Sequence, residues 1–402
     1  MPSPSKTSRF DERYLVVFGA SLTQFTMIGL LFSYGLFFKT FEAEFGWSRT
    51  LLSSCTSFSF LVMGVLAMFG GRMSDRFGPR LVLGITGTLG GLGYILLSQV
   101  TQPWQLFAFY GLLTGIGLST HDVITLSIVA RWFHKRRGIM TAVVKVGTAI
   151  GQFTIPPIVA FLMIRYDWRS ALVIMGVVAI VLVLIAASNA KNPSTYHASS
   201  PALVASGHGF SEARRSPTFW KLCAIQFLFF APLITIPVHI VVHGMDLGMT
   251  AVLAATLLSV MAFASVAGRL MIGLFFDRIG GKRALILCFI PLILSLLAFM
   301  FIVEPWILFV AVAVYGFAHG GFFTVMSPTI AEYFGLRVHG TLFGIIVFFG
   351  TIGGALGPIF AGRMFDSTGS YFLAFCSLAV MVSLGLALTL LLPAPEPKLP
   401  ED

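Results

Sequence analysis

Apolar stretches of membrane-spanning length recur along almost the whole chain, and no other feature restricts its fold as much. A helix needs roughly 20 apolar residues to cross the hydrocarbon core of a bilayer. Such runs fall near 14–38, 50–70, 81–100, 104–130, 138–163 and 168–188, and again near 217–243, 250–274, 284–303, 304–330, 338–363 and 370–392. The pattern predicts an all-α membrane protein with twelve transmembrane helices in two six-helix bundles. Only 10% of the 402 residues are charged while 57% are hydrophobic. Charge that sparse cannot solvate a soluble globule of this size, so lipid must cover most of the surface.

The net charge of +10 raises the possibility of a nucleic-acid partner, but its placement excludes one. Assigning the inter-helix loops alternately to two sides, 19 of the 26 Lys and Arg fall on the side of the N-terminus and five on the other. The remaining two, Lys145 and Arg269, sit inside apolar segments, as does one acidic residue, Asp122. This asymmetry follows the positive-inside rule and places both termini in the cytoplasm of a cell whose inner membrane the chain crosses. The start, up to Tyr14, is too polar for a secretory signal peptide, so 14–38 is expected to remain as the first helix. The four cysteines are scattered singly, without metal-ligand spacing or a disulfide framework. No cofactor, metal or enzymatic centre is called for, and no phosphate-cradling G-x-x-x-x-G-K-[ST] loop occurs that would imply ATP drive.

Two halves, 1–188 and 217–402, flank a segment at 189–216 rich in Ser, Ala, Pro, Gly and His, which reads as a cytoplasmic linker. The halves repeat. Gly71, Asp75, Arg76, Gly78 and Arg80 return 202 positions later as Gly273, Asp277, Arg278, Gly280 and Lys282. Ala130-Arg-Trp-Phe133 returns at an offset of 201 as Ala331-Glu-Tyr-Phe334, and Ile150, Gly151 and Pro156 return at 202 as Ile352, Gly353 and Pro358. Duplicated halves with a ligand site at their interface are the plan of secondary transporters.

The two G-x-x-x-D-R-x-G-x-[RK] loops resemble the signature of the major facilitator superfamily, and the resemblance covers 14–392. Within it, Trp132-Phe133-His134-Lys135-Arg136-Arg137-Gly138 is similar to the helix 4–5 motif of the monocarboxylate porters, in their bacterial branch. Phe317-Ala318-His319-Gly320-Gly321-Phe322-Phe323 resembles their helix 10, and Val238-His239 with Asp246-Leu247-Gly248 the end of their helix 7. Arg269 falls where that family carries its substrate arginine. Ser265 stands where an acidic partner would precede it by one turn, and the Gly/Trp-rich motif of animal members is absent from 14–29. The resemblance implies a major facilitator fold and transport of a small organic monoanion, coupled to protons as a symporter, by a monomer in the lipid bilayer. Efflux of a drug-like compound, or anion exchange, is the alternative on the same fold.

Ionisable groups inside a bilayer are costly and therefore mark function. Counted from the nearest loop at 1.5 Å per residue, Asp122, Lys145 and Arg269 all lie about 10–14 Å deep, near the midplane at about 15 Å, and so are candidates for one central site. Arg269 reads as a planar fork for a carboxylate, against snorkelling to the interface. Lys145 reads as a second substrate contact or as the ion-pair partner of Asp122. Asp122 is either the proton-coupling carboxylate or a counter-ion. His121 is a further substrate candidate, although helical geometry turns it about 100° from Asp122. Tyr315 and His319 share a face one turn apart, suited to substrate binding or to packing. Asp75, Arg76, Asp277 and Arg278 are expected to latch the inner face from their loops, with Tyr34 and His239 as outer gates.

Overall fold

The computed structural model describes residues 12–133, 135–193, 209–302 and 304–394. His134 of the basic motif, most of the linker and the two chain ends lie outside the described residues. Among the described residues, twelve helices are long and apolar enough to cross a membrane. They are α1 (Glu12–Phe45), α2 (Arg49–Phe77), α3 (Pro79–Leu97), α4 (Pro103–Trp132), α5 (Arg137–Arg165) and α6 (Trp168–Ser188). After a single helical turn at Phe210–Ala213 inside the linker come α7 (Pro217–Asp246), α8 (Ala251–Ile279), α9 (Gly281–Phe301), α10 (Pro305–Phe334), α11 (His339–Thr368) and α12 (Phe372–Leu390).

Local chemistry explains where the helices begin and end. Ser48, Asp167, Ser216 and Thr250 each accept a backbone N–H of the following first turn, and Pro79, Pro217 and Pro305 open α3, α7 and α10. Gly78 and Gly280, at φ 87° and 78°, make the sharp joints α2–α3 and α8–α9. The helices run on to those glycines, which corrects one expectation. Asp75 and Asp277 stand in the last turns of α2 and α8, not in loops. Within α4, residues Phe107–Thr114 widen into a π-helical segment.

The packing repeats as the sequence does. α1 lies against α5 as α7 lies against α11, and α2 against α4 as α8 against α10. Glycines allow these approaches: a Cβ on Gly147 or Gly151 would sit 2.4 Å from the Ser21 carbonyl oxygen or 2.1 Å from that of Phe25. The first and last six helices meet along α2–α11 and α5–α8. Both contacts are tightest at the end that carries the basic loops. There a Cβ on Gly71 would lie 2.1 Å from the Gly340 carbonyl carbon, and one on Gly138 2.4 Å from the Gly273 oxygen. The two glycine pairs are related by the 202-residue offset, so the same contact closes the basic end twice.

Candidate functional site

A cavity of about 300 Å³ lies between the halves. Its lining on α5 runs from Lys145 to Gln152, on α7 from Gln226 to Val238 and on α8 from Met261 to Arg269. Lys145, Gln226 and Arg269 are the members of those helices nearest the closed end, so they belong to the floor. Phe32 and Val238, farthest from it on α1 and α7, are about half exposed at 48% and 54%. Above the floor the walls are mostly apolar, with Ile28, Leu31, Phe60, Met63, Phe230 and Met261 among them and Thr148, Gln152 and Thr351 as polar members.

The three intramembrane charges meet at this floor. Lys145 Nζ donates to Asp122 Oδ1 at 2.5 Å, with only 3% of the lysine side chain and 18% of the aspartate exposed. The Asp122 oxygen also accepts from Gln24 Nε2 at 2.7 Å. The Gln24 amide continues to the His121 carbonyl at 3.1 Å and Thr125 Oγ1 at 3.0 Å, while its oxygen accepts from Thr148 Oγ1 at 3.0 Å. The pair is therefore buried and hydrogen-bonded on several sides, the condition under which a charge survives in an apolar interior. His121 is closer than helical spacing implied: its Nε2 is 3.6 Å from Asp122 Oδ2, and its Nδ1 donates to the Leu118 carbonyl. Both side chains line the cavity, because long rotamers bridge the angle between adjacent positions.

Arg269 is different. It is 2% exposed, its Nε has no hydrogen-bond partner, and no carboxylate lies within ion-pairing distance among the described residues. Its guanidinium carbon lies 5.7 Å from the Phe323 ring centre, and Lys145 Nζ lies 4.9 Å from the same ring. One turn before it, Ser265 Oγ is 3.2 Å from His319 Nδ1, so His319 lines the cavity beside the arginine. Snorkelling to the interface does not describe Arg269, whose head is buried at the floor.

Three other candidates lie elsewhere. Tyr315 shares a helix face with His319 but is fully buried, and its hydroxyl donates to the Pro232 and Leu233 carbonyls at 3.2 and 2.9 Å, tying α10 to α7. Tyr34 stacks on Tyr110 at 3.9 Å and donates to the Leu52 carbonyl, inside the first half. His239 takes the Tyr371 hydroxyl at 3.1 Å and gives its other nitrogen to the Pro358 carbonyl at 3.2 Å, inside the second. All three side chains brace one half internally, and none is among the residues lining the cavity.

At the basic end, Asp277 does cross between halves. Its two oxygens accept the backbone N–H of Gly138 at 2.7 Å and of Ile139 at 3.0 Å, capping the start of α5. Asp75 instead accepts from Arg131 at 2.5 Å within its own half, and Arg131 reaches on to Asn192 at 3.0 Å. Arg278 is exposed beside a polar recess shared with Lys135, Arg137 and Glu332, and Arg76 turns onto the neighbouring Phe77 ring. His339, absent from the sequence-based candidates, joins the halves here: its Nδ1 is 3.0 Å from Ser127 Oγ of α4, and its Nε2 donates to the Ser327 carbonyl at 2.9 Å.

The sequence reading also missed Gln24, Gln226 and Phe323. The signal was present for the glutamines, which stand 202 residues apart like the other repeats. Neither carries a charge, and a search for intramembrane ions passes over them.

Twelve spanning helices around a buried, charged cavity shut at one end define a multi-pass membrane transporter, not an enzyme. The model of the Major Facilitator Superfamily matches residues 20–358 and, overlapping, 246–402. The chain belongs to that superfamily. It is 29% identical to monocarboxylate transporter 13 of Bos taurus over 386 residues, covering 94% of this chain and 89% of the relative. It is 26% identical to the MFS-type transporter YhjX of Escherichia coli over 350 residues, covering 86% of each. Among solved structures, the fucose:proton symporter FucP in its outward conformation superposes with a TM-score of 0.75 at 13% identity, over 95% of this chain and 99% of the other, a likeness of fold alone.

Proposed function

We propose that the protein is a proton-coupled secondary transporter of a small organic monoanion, working by alternating access. The observation that carries this reading is Arg269, a buried guanidinium at the cavity floor whose Nε has no partner. A planar fork with no direct ion pair among the described residues is suited to bind a carboxylate bidentately. The named function of the monocarboxylate relatives agrees with that chemistry.

Coupling follows from the neighbouring pair. While ionised, Asp122 occupies Lys145; a proton on the carboxylate releases the ammonium, and both cations then face the arriving anion. Binding brings the halves together over the cavity, and the glycine contacts at the basic end part in exchange. In this reading the basic end is cytoplasmic, with both termini on that side of the inner membrane, and one chain is the functional unit. A reporter fused after Asp402 should accordingly report cytoplasm.

The deciding experiment is uptake of labelled monocarboxylates, dicarboxylates and cationic drugs into proteoliposomes, with and without an inward pH gradient. Accumulation of a monocarboxylate only with the gradient is expected. Transport of the cations alone would replace this reading with drug efflux, for which the apolar walls are the supporting observation.

A further inference from the structure

The 202-residue repeat puts a glutamine at equivalent points of α1 and α7, and the two have opposite surroundings. Every polar atom of the Gln24 amide is engaged, by Asp122, Thr125, the His121 carbonyl and Thr148. Gln226 is also buried, at 3% exposed, and lines the cavity floor, but among the described residues its Oε1 has no hydrogen-bond partner. The reason is visible at the position equivalent to Thr148, which is Gly350. A Cβ there would lie 2.9 Å from Gln226 Cγ and 3.0 Å from Nε2. Glycine removes the hydroxyl that would satisfy the amide and leaves the room in which the amide lies. A sealed, unsatisfied amide is costly to keep, and buried polar groups of this kind call for an explanation.

Aromatic rings separate Gln226 from Arg269. Phe230, one turn along α7 from Gln226, meets the Phe323 ring edge-on at 5.7 Å and the Phe322 ring at 6.2 Å. Phe323 in turn lies 5.7 Å from the Arg269 guanidinium. A ligand that reaches both polar anchors therefore passes over an apolar, aromatic surface.

We infer that Gln226 is a specificity-determining residue that hydrogen-bonds a hydroxyl or amide at the far end of an apolar, aromatic-bodied carboxylic acid. The inference rests on the reading of Arg269 as the carboxylate anchor and names the class of acid that this site takes. An amide both donates and accepts, so it can engage a hydroxyl in either sense. Small acids such as lactate leave it unmatched.

The test is calorimetric binding to the purified full-length protein of two near-isosteric acids, para-hydroxyphenylpropionate and para-methylphenylpropionate. An all-apolar pocket prefers the methyl group, so the sign of the preference is diagnostic. Wild type is expected to bind the hydroxyl acid about tenfold tighter, the scale of one hydrogen bond that satisfies a buried group. In Gln226→Leu the preference should reverse toward the methyl acid. Wild-type preference for the methyl acid overturns the inference, as does a hydroxyl preference that survives in folded Gln226→Leu. If that variant does not fold, the wild-type comparison alone decides. Failure of both acids, with Arg269→Ala indistinguishable from wild type, removes the Arg269 reading and this inference with it. Binding of both acids that is lost in Arg269→Ala but shows no hydroxyl preference removes this inference alone.

Discussion

The two halves hold corresponding positions in the same places and fill them with opposite chemistry. In the first half, Asp122, Lys145, Gln24 and Thr148 satisfy one another. In the second, the positions matching Asp122 and Thr148 are Phe323 and Gly350, while Gln226 is left unpartnered at its oxygen. Arg269, also in the second half, matches Ala67 in the first. At this site the duplicated scaffold has diverged: the polar groups of the first half satisfy one another, while Gln226 Oε1 and Arg269 Nε in the second have no hydrogen-bond partner among the described residues. In the proposed function the division separates two tasks, proton exchange at the Asp122–Lys145 pair and anion selection at Arg269.

The largest effect should come from breaking the complete half. Asp122→Asn leaves Lys145 buried without its carboxylate, a change that costs about 3–5 kcal/mol when a buried pair loses one partner. Melting of the purified variant should fall sharply, and Asp122→Asn combined with Lys145→Met should recover much of the loss. If Asp122→Asn melts like wild type, yet loses uptake driven by a pH gradient while retaining exchange, the carboxylate is a proton carrier without a structural share. Normal melting, exchange and gradient-driven uptake together would remove Asp122 from both roles.

The incomplete half should respond in function and not in stability. Arg269→Lys keeps the charge but loses the planar fork, so affinity for the anion should fall by roughly 10- to 100-fold, the range of one charge-assisted contact of about 1.5–3 kcal/mol. Melting should change little, because lysine keeps the charge and the guanidinium Nε has no hydrogen bond to lose among the described residues. A variant that binds and transports anions like wild type would reverse the assignment of Arg269.

These contrasts also show what a reader of the sequence can and cannot obtain. Charged residues in an apolar span are rare, so Asp122, Lys145 and Arg269 announce themselves, and depth counting places them at one level. The fold was legible for the same reason, through hydropathy and the repeated glycine-flanked aspartates. Gln226 and Phe323 were not, since a neutral amide and one of forty phenylalanines carry no such contrast. Helical spacing put Tyr315 on the face of His319, but spacing cannot tell whether a side chain ends in the cavity or on a neighbouring carbonyl. Hydropathy also ends helices too early: α1 continues to Phe45 and α2 to Phe77 because polar residues there leave the lipid without leaving the helix.

Where the halves agree, mutations should act alike. Gly71→Ala and Gly138→Ala each place a methyl against backbone of the opposite half, 2.1 and 2.4 Å from the nearest atom. Neither neighbour is a flexible side chain, so the basic end has to part. Both variants should shift the carrier toward the state open at that end, seen as a longer distance between spin labels on the exposed Arg72 and Arg337 positions. A shift in one variant only would show that the two glycine contacts are not equivalent.

Where the halves disagree, the paired aspartates should separate, and this is the smallest effect. Asp277 caps α5 across the interface, a contact that parting of the halves at the basic end would break. Asp277→Ala removes it, and loss of an N-terminal cap costs about 0.5–2 kcal/mol. That cost falls on the closed state alone, so the population should move toward the open state by a factor of about 2 to 30. Asp75 holds Arg131 inside the first half, which the proposed alternating access would move as one body. Asp75→Ala therefore destabilises closed and open states together; its melting should fall, with the label distances left in place. Equal shifts from the two substitutions would mean that Asp75 also acts between the halves, and that the asymmetry of the basic end is a property of one conformation only.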